Sequence, residues 1–86
     1  MDPDATASRI LTAFEAEEYE EALDASCDLR DWLDSGGFEP VANLCEELCA
    51  LAASESHCGA VPATFRDAVQ MLIEVAREQI RGSDAE

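Results

Sequence analysis

The chain has 86 residues, 48% of them apolar, with 20 acidic side chains against 5 arginines, no lysine and a formal charge of −15. That much apolar material separates it from disordered chains, and the length leaves room for one hydrophobic core, so a single domain over residues 1–86 is expected. The charge argues against direct binding of nucleic acid or of an anionic membrane, because both need cationic side chains to displace counterions, and it favours a basic protein partner.

No run approaches the roughly 20 apolar residues that cross a bilayer. The opening Met-Asp-Pro-Asp has neither the basic nor the apolar part of an export leader, so the expected location is the cytoplasm, with reduced thiols. A domain this small removes only about 60% of its unfolded surface from water, and forming a homodimer is one route to further burial. Solubility alone accounts for an acidic surface, and a high-salt interior would also select it.

In chain order, Asp2 and Pro3 read as the cap and first residue of a helix over residues 3–16, with Ala7, Ile10, Leu11 and Phe14 recurring on one face. Five glutamates follow between residues 15 and 21, with neither glycine nor proline among them. Such a run repels itself in mid-helix but complements the dipole of a fresh N-terminus, which predicts a break and a second helix over 19–34. Its inward residues are Tyr19, Ala22, Leu23, Ser26, Leu29, Trp32 and Leu33, and Glu17, Glu21, Asp24, Asp28 and Asp31 form an outer stripe. Ser35, Gly36 and Gly37 end it, since glycine readily adopts the left-handed conformation of a helix terminus.

The segment Glu18-Tyr19-Glu20-Glu21-Ala22-Leu23 resembles the turn and second-helix start of a tetratricopeptide-type helical hairpin, over residues 7–34. The resemblance implies two paired helices with Ala22 at their close contact, and it points toward protein binding. The glycine that this family places before the aromatic residue is Glu17 or Glu18 here, and no second copy follows. A lone hairpin cannot bury its own face, so the remaining helices must close it.

Pro40 predicts a third helix over 40–54, carrying Val41, Leu44, Cys45, Leu48, Cys49, Leu51 and Ala52. Pro62 predicts a fourth over 62–81, whose apolar arc from Phe65 to Ile80 is wide enough for a central position. Gly82 and residues 83–86 read as a frayed tail. No segment alternates with a two-residue period, so the expected fold is all-α, a compact antiparallel bundle of four helices.

Cys45, Cys49, His57 and Cys58 are four potential metal ligands close in sequence. A cysteine pair four apart on a helix is not the knuckle that wraps zinc, and among Leu44, Leu48, Leu51 and Ala52 such thiols behave as small buried hydrophobes. His57 reads as a solvated loop residue near a helix end. The sequence contains no calcium loop, glycine-rich phosphate cradle or lysine, so no enzymatic activity and no cofactor are expected. Residues 15–39 carry a net charge of −9 and the rest of the chain −6, which makes the stripe of Glu17, Glu21, Asp24, Asp28 and Asp31 one candidate interaction surface. Trp32 and Phe38, flanking the two glycines, are the other. The expected function is an acidic helical protein-interaction module. The alternatives are an acidic mimic of nucleic acid that inhibits a basic protein, and a Cys/His metal- or redox-responsive protein.

Overall fold

A computed structural model of the chain describes residues 2–56 and 61–84. The first helix, α1 (Pro3–Glu15), begins where Asp2 Oδ1 accepts the backbone N–H groups of Asp4 and Ala5 at 3.0 and 3.3 Å, with Pro3 in the position where a missing N–H costs nothing. It ends in a left-handed residue. Glu17 has φ 59°, the Glu17 N–H donates to the Phe14 carbonyl, and the Glu18 N–H donates to that of Ala13 at 2.8 Å. This is a Schellman closure with a glutamate where glycine is usual.

The second helix, α2 (Tyr19–Asp34), ends in the same way at Gly36, φ 92°, with the Gly36 N–H bonded to the Leu33 carbonyl and the Gly37 N–H to that of Trp32. The break between the first two helices and the glycine stop therefore lie where the sequence places them.

The two prolines do not open helices. The third helix, α3 (Ala42–Glu55), starts after Val41, and Pro40 lies buried just outside it. The Val41 N–H donates to Asp4 Oδ1 at 2.8 Å, so the entry to α3 is tied to the first turn of α1. The fourth helix, α4 (Phe65–Asp84), starts after Thr64, whose Oγ1 accepts the Asp67 N–H at 3.1 Å. That Thr-x-x-Asp arrangement is a side-chain cap, and it overrides the proline two residues earlier. The helix also runs through Gly82 to Asp84, because an isolated glycine weakens a helix without having to stop it. Residues 85 and 86 lie outside the described residues.

The hairpin of α1 and α2 is closed on both sides, by α3 against α1 and by α4 against α2, and α3 also packs on α4. The pairs α1/α4 and α2/α3 are therefore diagonal. Asp34, at the end of α2, pairs with Arg66 at the start of α4, while Gln79 and Ile80 of α4 reach the start of α2. The helix α4 thus runs opposite to α2 and in the same sense as α1. The radius of gyration is 12.0 Å, matching the roughly 12 Å expected of a compact chain of this length.

Burial is uneven. The face of α4 from Phe65 to Ala76 supplies seven buried core residues, including Val69, Leu72 and Ile73. By contrast α3 supplies only Leu48 and Ala52, and Val41, expected on its inner face, is 54% exposed. Ala22 and Ala25 of α2 are fully buried, and side chains this small let helices approach closely. Among the described residues the fold is an all-α bundle without strands. No described helix is long and apolar enough to cross a membrane.

Candidate functional site

The acidic stripe of the second helix divides in three. Glu17 is not on the helix but in the turn before it, at the left-handed position. Glu21 is half-buried and holds Arg9 of α1, whose Nε donates to Glu21 Oε1 at 2.9 Å. That hydrogen bond and the Glu21 charge raise the Arg9 pKa, with Asp28 and Asp24 adding to the field. Asp24, Asp28 and Asp31 stay exposed along one face, and only Asp31 has a cation within reach, Arg30 at 3.8 Å, among the described residues.

Around the α1–α2 turn the chain builds a solvent-open hollow of about 600 Å³, lined by Glu17, Glu18, Tyr19, Glu20, Glu21, Asp24, Gln79 and Ile80. The Tyr19 ring stands edge-on to Phe14, with ring centres 5.9 Å apart, which fixes the aromatic wall of the hollow against the core. Burial pushes the Tyr19 phenol up, and Glu17 and Glu55 push it further, so its hydroxyl remains a hydrogen-bond donor at neutral pH. With Glu21 occupied by Arg9, four carboxylates without an ion-pair partner among the described residues stand beside an aromatic and an aliphatic wall, a setting that suits a positive group. Proton transfer is a poorer fit, since it requires carboxyls in contrasting environments, and Glu17, Glu18, Glu20 and Asp24 are all exposed while Glu21 is held by Arg9.

The aromatic corner is half core and half surface. Trp32 is partly buried, its Nε1 donates to the Phe38 carbonyl at 2.9 Å, and the two rings meet edge to face at 5.7 Å. Gly37 has no room for a side chain, because a Cβ there would overlap the indole. Phe38 itself is 71% exposed. The corner is thus a rigid apolar knob, with Trp32 holding and Phe38 presented.

Cys45 and Cys49 share one side of α3, both partly buried against the core. The Cys45 thiol donates to the Pro40 carbonyl at 3.3 Å. Burial pushes both thiols up, with Glu39 adding to each, so both are protonated at neutral pH and are poor nucleophiles. Among the described residues no three His, Cys, Asp or Glu side chains converge on a common point. His57 and Cys58, the other half of the expected ligand set, lie outside the described residues.

Two features of the surface have little sequence signal. The contribution of Gln79 and Ile80 to the acidic hollow depends on α4 running opposite to α2, which no local pattern encodes. A second hollow of about 620 Å³ lies between α1 and α3, over Leu11, Phe14, Ala50 and Leu51 with Glu15, Glu47 and Glu55 around it. Its residues are legible only as two separate helix flanks. Comparison of the sequence with known protein families, curated proteins and solved structures gave no match.

Proposed function

We propose that this protein is a small acidic helical module that binds a basic segment of a partner protein and performs no chemistry of its own. The observation that carries the reading is the hollow at the α1–α2 turn, where Glu17, Glu18, Glu20, Glu21 and Asp24 crowd around Tyr19 and Ile80. Carboxylates next to apolar walls suit arginine and lysine side chains, whose stems are apolar and whose heads are charged. The overall charge of −15 adds long-range steering of a basic partner. The hairpin of α1 and α2 supports the reading only by analogy with tetratricopeptide-type hairpins, which the sequence resembles.

Imitation of nucleic acid is the second reading, favoured by the exposed row of Asp24, Asp28 and Asp31. At a helical rise of 1.5 Å per residue these charges stand about 4.5 and 6 Å apart along the axis, against about 3.4 Å per phosphate along one DNA strand. A single row therefore reproduces only part of the phosphate density, which leaves this reading second.

The test uses two helical peptides of equal length and equal apolar pattern, one with lysine and arginine at its polar positions and one with glutamate. Fluorescence anisotropy at low salt should show binding of the cationic peptide alone. Equal binding of both, or of neither, would remove the proposal.

A further inference from the structure

We infer that the groove between α1 and α3 seats an amphipathic basic helix of the partner, a conclusion that rests on the proposed function and adds the shape of the ligand and its place. The groove has an apolar floor of Leu11, Phe14 and Leu51 and an acidic border of Glu15, Glu47 and Glu55. Leu11 and Leu51 are only partly buried although they pack against the core, so apolar surface remains for another element to cover. The α1/α3 contact is also the least extensive in the bundle, and α3 supplies just two fully buried residues.

Charge identifies the occupant. Helix α3 contains no basic residue, and the single arginine of α1, Arg9, is engaged with Glu21 on the α2 side. The border glutamates therefore receive no cation from the two helices that form the groove. A segment with leucine-like residues at i, i+3, i+4 and i+7 and lysine or arginine on its flanks would cover the floor and meet the border at once. A second copy of this chain is a poor occupant, because its own border would set like charges face to face. The groove adjoins the acidic hollow where Phe14 of the one packs against Tyr19 of the other, and Glu55 lies close enough to act on the Tyr19 phenol. An arriving basic helix would thus pass from a steering surface into a seat.

The test measures binding of a Leu/Lys amphipathic helical peptide by anisotropy, beside a scrambled peptide of the same composition. Three variants of the full chain are compared with the parent: Ala50→Arg, the pair Glu15→Lys/Glu47→Lys, and the pair Asp28→Lys/Asp31→Lys. All five positions are exposed, which keeps the core intact. The first two variants should weaken binding by roughly ten-fold, the first because a large cationic side chain then occupies the groove and the second because the charge of its border is reversed. The third should change it by less than about three-fold, since neither residue lines the groove and α2 does not pack on α3, which leaves only screened, exposed charge at a distance.

Equal losses in all three variants, or equal affinity for the scrambled peptide, would overturn the groove while leaving a general attraction for basic partners in place. Failure of every cationic peptide to bind would overturn both. Light scattering that finds the parent dimeric and Ala50→Arg monomeric would assign the groove to a second copy and overturn the proposal.

Discussion

Ser26→Ala should make this protein more stable. Ser26 lies inside α2, has no exposed surface, and its Oγ finds no hydrogen-bond partner. Its neighbours one turn away on the same helix are the buried residues Ala22 and Leu29. A buried hydroxyl left unpaired costs about 1–3 kcal/mol, because it has lost its water and gained nothing in return. Replacing serine by alanine in a helix interior adds roughly 0.5 kcal/mol. Against this stands the dispersion lost with one oxygen atom, a heavy atom about the size of a methylene, about 0.5–1 kcal/mol. The net gain is about 1–2 kcal/mol, and each kcal/mol raises the melting temperature of a domain of this size by about 4–8 °C. Circular dichroism at 222 nm during heating gives the shift, and urea unfolding should give a higher midpoint with an unchanged slope. A neutral or lowered melting temperature would refute the reasoning, since it would mean that the hydroxyl is satisfied in solution.

Three further outcomes follow from particular residues. Glu17→Gly should stabilise by about 0.5–1 kcal/mol, the relief of a left-handed L-residue less the entropy of a freer chain, whereas Glu17→Gln should give less, and urea midpoints separate the two. Gly37→Ala should cost about 1–3 kcal/mol as the new methyl drives Trp32 from its place, and emission from this sole tryptophan should shift to longer wavelength. Cys45 and Cys49 have folded pKa values above the ordinary thiol range, so the folded state holds their protons more tightly than the unfolded state does. Their contribution to stability is full at neutral pH and is lost as pH rises from the ordinary thiol value near 8.5 through the folded value. Unfolding followed between pH 7 and 10 should show that loss, and Cys45→Ala/Cys49→Ala should blunt it.

The elements were legible where the signal is local. Asp2-Pro3 marks the start of α1, the glutamate run marks the break before α2, and Gly36 marks its end. Both later prolines misled for the same reason. Proline suits a first helical turn, but it suits the extended approach to a cap equally well, and the decisive residues were Val41, which borrows Asp4 from another helix, and Thr64 with Asp67. The Thr-x-x-Asp signature could have been found in the sequence. The bond from Val41 to Asp4 could not, because it spans 37 positions.

Glu17 in a left-handed turn was equally hidden, since nothing about a glutamate advertises positive φ. The wide apolar arc of α4 correctly signalled the largest share of the core, although the helix occupies a corner diagonal to α1 rather than the middle. The acidic stripe was visible as composition. Its division into a turn residue, an arginine partner and a free face became visible only once α1 was placed beside α2, and the hollow only once the end of α4 was added.

The association constant of a basic helical peptide, followed from about 50 to 500 mM salt, tests the central claim most directly, because screening over this range removes exposed charge attraction. Affinity should fall steadily with salt while the far-ultraviolet spectrum of the protein stays helical. Affinity that holds constant across the range would show that the acidic surface is not what binds.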